Sequence, residues 1–169
     1  QRTLRWQGWR REDGGAAIEF AFVLPVFLFI FVGIFAFGLA FFMQQTMTLA
    51  AEEGARAAIA VDPESFPEGV TDAGYMAAVQ TQAQALANNN LSGLPLSLRS
   101  GITTPAPTLV PILDNNGQTI GQVLTVTVAY PGFNTSPLIG PLISIFPLSF
   151  VGSLIMPTNL TATAAVQLF

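Results

Sequence analysis

One acidic side chain stands out because of its position. Glu19 directly precedes a long apolar stretch that begins at Phe20. An ionised carboxylate at the edge of such a stretch is costly if the stretch lies in lipid, and residues of this kind are functional candidates. Its alternative role is local, because the positive end of a helix dipole stabilises a carboxylate near a helix start. Glu19 is therefore the first candidate site residue.

The rest of the chain offers little catalytic chemistry. It contains no His and no Cys, which removes the commonest general base, the usual nucleophilic triads and most zinc sites. Four acids follow the apolar stretch, but their spacing does not match a calcium-binding loop: Asp62, Glu64, Glu68 and Asp72. We therefore expect no enzymatic activity, no cofactor and no metal.

The apolar stretch predicts a membrane anchor. Phe20 to Met43 is a run of about 24 uncharged residues, and a helix of that length spans the hydrocarbon core of about 30 Å. A cleaved signal peptide is the alternative, although its apolar region would be shorter. An Ala-rich segment with Glu52 and Arg56 at i,i+4 spacing extends the helical pattern. We predict one helix over residues 16–60, stopped near Pro63.

Proline and arginine complete the description of the anchor. Pro25 removes one backbone hydrogen bond and is expected to kink or loosen the helix, unless it is a tolerated membrane proline.

Residues 1–15 form a basic leader whose arginines place the N-terminus in the cytoplasm by the positive-inside rule. Because the first residue is Gln, we expect the true start to lie upstream. No nucleic-acid partner is expected, because the exported part offers no cationic surface. Four of the six arginines lie in the leader: Arg2, Arg5, Arg10 and Arg11.

Residues 61–169 predict an exported α+β domain. A helix capped by Thr71 or Asp72 is indicated by apolar residues three and four apart, and Asn88 to Asn90 are expected to end it: Met76, Val79, Ala83 and Leu86. The period then changes to two, which predicts four antiparallel strands. They lie at about 94–98, at 108–113 with Pro111 at an edge, at 121–130 after an Asn116-Gly117 hairpin turn, and at 158–169. In the strand at 121–130 one face is Thr-rich, and we expect the helices to cover the other face, which carries Leu124, Val126, Val128 and Tyr130.

Residues 131–157 are the least regular part of this domain. From Pro137 to Met156 the segment carries no charge and is rich in Leu, Ile, Phe, Gly and Pro. Three interpretations stay open: an apolar loop packed on the sheet, an exposed patch that meets another subunit or lipid, and a second membrane span.

Two stretches resemble the TadE-like family of minor pilins and pseudopilins of the tight-adherence (Flp-type) pilus system. The first runs from Arg10 through Gly14, Gly15 and Glu19 to Pro25, and the second reads Ala-Glu-Glu-Gly-Ala-Arg-Ala-Ala over residues 51–58. The resemblance implies a pilin-like α+β fold. It also implies prepilin-peptidase cleavage between Gly14 and Gly15, which would make Glu19 the fifth mature residue.

The resemblance further implies that Glu19 pairs with the new N-terminal amine of a neighbouring subunit and so sets the register of assembly. We therefore expect a minor pilin or pseudopilin that contributes to assembly, initiation or regulation of a Flp-type pilus. Its partners would be other pilin subunits, the prepilin peptidase, the inner-membrane assembly platform and membrane lipid. It would cross the inner membrane once, with its domain periplasmic or extracellular. The alternative is a membrane-tethered binding module unrelated to filaments.

Overall fold

The computed structural model describes residues 13–144 and 156–168. The chain divides into two compact units, with the boundary between Phe35 and Ala36. It combines a long N-terminal apolar helix, a second helix and a small antiparallel sheet, which confirms the α+β class. Residues 1–12 of the basic leader, with Arg2, Arg5, Arg10 and Arg11, lie outside the described residues.

Helix α1 (Asp13–Ile59) begins three residues before the bound expected from the sequence and ends one residue before it. Pro25 lies inside the helix, and the helical assignment continues through it. After the helix, the Asp62 side chain accepts a hydrogen bond of 2.9 Å from the Glu64 amide, and this caps a 3₁₀ turn at Pro63–Ser65. Pro63 therefore starts the next element, in keeping with proline's preference for a first helical position.

The first unit contains the N-terminal part of α1, and no residue from 14 to 35 is buried. Its large apolar side chains project outward, including Phe22, Ile34 and a pair of stacked rings, Phe27 and Phe31, whose centroids lie 6.4 Å apart. Helix α1 is long and apolar enough to cross a membrane, with a mean hydropathy of 2.8 in its most apolar window. A helix with apolar side chains exposed on every side is typical of a membrane span.

The second unit contains helix α2 (Ala73–Leu91), which the Asp72 side chain caps by accepting a hydrogen bond of 2.7 Å from the Gly74 amide. Asp72 is one of the two caps that the sequence predicted. Of the four apolar positions predicted for this helix, Val79 and Ala83 are buried. Met76 and Leu86 are half-buried, whereas the buried positions repeat every four residues: Tyr75, Val79, Ala83, Ala87 and Leu91. The sequence pattern favoured the larger side chains, while burial selected the positions nearest α1 and the sheet.

The end of α2 also differs from the expectation. Asn88 to Asn90 stay helical, and the Asn90 amide side chain donates back to the Leu86 carbonyl at 3.1 Å. The helix continues to Leu91, which is buried. The free energy gained by burying one more leucine outweighs the weak tendency of Asn to leave a helix.

Among the described residues the sheet has three strands, in the order β1 (Thr108–Leu113), β2 (Thr119–Tyr130) and β3 (Leu160–Leu168), and all neighbours are antiparallel. Pro111 lies on the edge strand β1, as predicted. The hairpin turn between β1 and β2 has Gly117 at a φ of 78°, a conformation that suits glycine. A register shift between Ile112 and Leu113 accompanies the turn.

The fourth expected strand is absent from the described residues. Residues 96–99 form a single helical turn, α3 (Leu96–Arg99), instead of a strand at 94–98. Leu94 and Leu98 are buried and Leu96 is exposed. The two buried positions are four residues apart, which also fits one turn of helix. A run of three alternating leucines was therefore too short to distinguish a strand, with a period of about two residues, from a helix, with a period of about 3.6 residues.

The core lies between one face of the sheet, α2 and the C-terminal half of α1. The inward face of β2 was predicted correctly, and all four of its members are buried: Leu124, Val126, Val128 and Tyr130. The α1 residues that belong to the same core are small or flexible: Ala36, Ala40, Met43, Met47, Ala50, Ala51, Ala55 and Ala58.

The described part of residues 131–157 packs on this core. A 3₁₀ turn at Phe133–Thr135 and helix α4 (Ile139–Ser144) carry the buried side chains of Phe133 and Ile139. The Phe133 and Tyr130 rings pack edge to face, with their centroids 5.4 Å apart. The Phe133 backbone amide donates a hydrogen bond of 2.8 Å to the Thr158 carbonyl. These contacts favour the packed-loop interpretation for residues 131–144. The other two interpretations rest mainly on residues 145–155, which lie outside the described residues.

Candidate assembly site

Glu19 lies in the second turn of α1, on an exposed stretch of the helix. Within residues 13–144 and 156–168, no cation pairs with its carboxylate; the ion pair found there joins Arg56 to Glu53. The following run is uncharged as far as Ala51. Glu19 therefore presents a carboxylate at one end of an apolar helix, without a partner from the described part of its own chain.

The Gly14–Gly15 bond lies in the first turn of α1, and both residues are exposed. A Cβ atom at either position would meet nothing within 4 Å. Peptidases bind extended backbone, so a cut here requires the first helical turn to unwind. Two glycines make that unwinding easier, because each lowers helix stability by about 0.5–1 kcal/mol relative to Ala.

The second stretch of the resemblance, residues 51–58, has a structural role that the sequence analysis missed. Gly54 faces α2 and β2, and a Cβ atom there would lie 2.8 Å from the Ala83 carbonyl oxygen and 3.2 Å from Val126 Cγ1. Glycine at this position lets the α1 backbone approach both elements closely. The signal was available, because small residues recur at helical spacing on one side of α1: Ala50, Ala51, Gly54, Ala55 and Ala58.

The charges in this stretch also pair differently from the expected i,i+4 spacing. The Arg56 Nη1 atom lies 3.2 Å from the Glu53 Oε1 atom, so the ion pair joins i and i+3 and leaves Glu52 out. The Arg56 side chain is largely exposed, so this pair contributes little to stability.

The acidic loop of the second unit is used for capping. Asp62 and Asp72 accept backbone hydrogen bonds at the starts of the two elements they precede. No group of three or more potential metal ligands occurs in the part of the chain that the structure describes. The carboxylates of Asp62 and Asp72 thus have structural partners.

Two ionisable groups of the domain have shifted pKa values. In the hairpin turn, the Asp114 carboxylate accepts hydrogen bonds from the Gln118 amide at 2.7 Å and the Asn116 amide at 2.8 Å. These bonds, chiefly the one from Gln118, lower the pKa of Asp114. Burial raises the pKa of the Tyr75 hydroxyl. Both groups serve the fold of the domain.

These features define a class: a protein in which an apolar helix, long enough to span a membrane, continues into a small α+β domain. Residues 14–56 match the family model described as TadE-like protein. The match confirms the resemblance seen in the sequence, and it covers both Glu19 and Gly54. No curated protein and no solved structure matches the chain.

Proposed function

We propose that this protein is a minor pilin or pseudopilin that contributes to assembly, initiation or regulation of a Flp-type pilus. The TadE-like segment indicates a protein associated with tight-adherence pili, a family that is generally structural. The observation that carries the finer proposal is the exposed carboxylate of Glu19 at the start of an uncharged apolar run, where no cation of the described residues pairs with it.

The physical argument concerns what surrounds that helix in a filament. Apolar helices that bundle together exclude water, and an unpaired carboxylate among them is penalised strongly. A cation from a neighbouring subunit removes the penalty only when the two charges are in register. Cleavage after Gly14 would create such a cation, the new α-amine of Gly15. Glu19 then selects one stagger between adjacent subunits, because the attraction between opposite charges is strong at low dielectric.

In this proposal the protein enters the inner membrane with its leader in the cytoplasm and its domain on the other side. Pro25 supplies a point at which the helix can bend when subunits pack together. The prepilin peptidase, other pilins and the assembly platform are its protein partners, and lipid surrounds the helix before assembly.

The central experiment is Glu19→Ala in the native host. We expect loss of pili, while the protein remains in the membrane fraction, since the apolar run is unchanged. Glu52→Ala is the matched control, because Glu52 is an exposed acid on the same helix but beyond the apolar run. Normal pili in the Glu19→Ala strain would contradict the proposal and favour a membrane-tethered binding module.

Cleavage is tested separately by intact-mass measurement of protein extracted from membranes. We expect a mature chain that begins at Gly15, and we expect Gly14→Val to retain its leader. Gly38→Ala is the control, because it changes a glycine of the same helix where a Cβ meets nothing within 4 Å. A native protein that keeps Arg10 and Arg11 would exclude processing at this bond.

A further inference from the structure

The last turns of the apolar run belong to the domain. Ala36, Ala40 and Met43 are buried in its core. On the same turns, Phe41 and Phe42 are exposed by 67% and 51%. The end of the domain that contains these turns, which we call its base, therefore includes helix residues whose composition is that of a membrane span.

A groove opens at this base, between α1 and the residues that lead into β3. It is open to the surface, has a volume of about 170 Å³ and is lined by Phe37, Ala40, Phe41, Gln44, Pro157 and Leu160. Gln44 is the one polar side chain in this lining, and its amide donates to the Thr161 carbonyl at 2.9 Å. Its donor is thus engaged within the protein, and no lining residue carries a charge. The groove suits an apolar occupant.

The length of the anchor indicates where this groove lies relative to the membrane surface. About 20 helical residues cross the hydrocarbon core, so a span that starts at Phe20, directly after the charged Glu19, ends near Leu39. Phe37 and Phe41 lie two residues to either side of that point. Pro157 and Leu160 line the same groove as these rings, so they lie at the same boundary although they are more than a hundred residues away in sequence.

We propose that the base of the domain, defined as Phe37, Phe41, Phe42, Pro157 and Leu160, is seated in the membrane interface, with a lipid acyl chain in the groove. The inference rests on the membrane span of the proposed function. Lipid is the occupant because Phe37, which lines the groove, is one of the last residues of the span, and because the uncharged walls offer nothing to a charged partner. The domain is then held against the bilayer before any filament forms.

The test uses the full chain, whose lack of cysteine allows labelling at single introduced positions. Thr158→Cys places a fluorophore beside Pro157, at an exposed residue. Val110→Cys is the matched control on β1, and Ile34→Cys reports on the span; both side chains are exposed. The proteins are reconstituted at low density in phosphatidylcholine–phosphatidylglycerol vesicles that contain nitroxide-labelled lipid.

We expect lipid to quench the Thr158 label several-fold more than the Val110 label and nearly as much as the Ile34 label. If the Ile34 label is quenched and the Thr158 label matches Val110, the seated domain is excluded while the span remains. If neither label is quenched, the span itself fails, and the inference fails with it.

A second variant tests the groove. Phe41→Ser, at an exposed ring, is expected to reduce quenching at Thr158 several-fold without changing quenching at Ile34. Leu49→Ser is its control, since Leu49 is also exposed on α1 but lies beyond the span. Unchanged quenching at Thr158 would overturn the proposal. So would a Thr158 label that is shielded from lipid and crosslinks to a second copy as the protein-to-lipid ratio rises, because the groove would then hold another chain.

Discussion

The two halves of helix α1 solve different packing problems with different side chains. From residue 14 to 35 the helix is rich in Phe, Ile, Val and Leu, and none of these residues is buried. From 36 to 59 its inward face is Ala, Gly and Met, and that face is almost completely buried. The first half has the large apolar surface that a helix crossing a membrane requires. The second half needs small residues because α2 and the sheet approach its backbone closely.

The difference between the two halves of α1 shows that the hydrophobicity of a side chain and its fit in a packed core are separate requirements. Both halves are apolar, yet substitutions in them should fail in different ways. For insertion of the first half into a membrane, the transfer free energy of each side chain into lipid matters more than its volume. In the second half volume matters most, because protein interiors are close-packed.

A charge in the first half should give the largest effect. Phe27→Arg places a cation near the centre of the span, at a cost of about 2.5–3.5 kcal/mol on insertion scales. We expect a clear loss of membrane-integrated protein, measured by alkaline extraction of membranes. Leu49→Arg is the matched control, because Leu49 is similarly exposed on the second half and should insert normally. Equal insertion of both variants would remove the distinction between the halves.

A methyl group in the second half should give the next largest effect. Gly54→Ala puts a Cβ atom 2.8 Å from the Ala83 carbonyl oxygen, and overpacking of this kind costs about 1–3 kcal/mol. We expect lower stability of the detergent-solubilised protein in denaturant unfolding, with membrane insertion unchanged.

Gly38→Ala is the control for that variant, because its Cβ meets nothing within 4 Å. It should be neutral or slightly stabilising, as expected for Gly→Ala in a helix. A Gly54→Ala protein as stable as the Gly38→Ala protein would show that the close approach of α1 to α2 is not needed.

The smallest effect is expected at low pH, where the hairpin of the domain should lose some stability. The pKa of Asp114 is lower in the folded state, so its contribution to stability is present above the usual Asp pKa and is lost as pH falls through the lowered value. We expect the hairpin amides of Asn116 and Gln118 to lose protection in hydrogen exchange at low pH. Asp114→Asn, which does not titrate, should abolish this pH dependence. A wild-type hairpin that stays equally protected in acid would contradict the assignment.

Much of the domain could be predicted locally. The Asp72 cap, the hairpin turn at Gly117, the edge position of Pro111 and the inward face of β2 all followed from short-range rules. The strand expected at 94–98 was wrong, because three alternating leucines fit a helical turn equally well when only two of them are buried. Arg56 pairs with Glu53 rather than Glu52, a choice of rotamer that spacing alone does not decide.

The sequence by itself determined the apolar helix, the position of Glu19 at its start and the TadE-like character of residues 14–56, because composition and spacing along one helix are local properties. Only the tertiary structure showed that Gly54 is a packing residue and that Pro157 and Leu160 share a groove with Phe37 and Phe41. Those facts depend on which distant segments meet, and that is decided by the volume and shape available between packed elements.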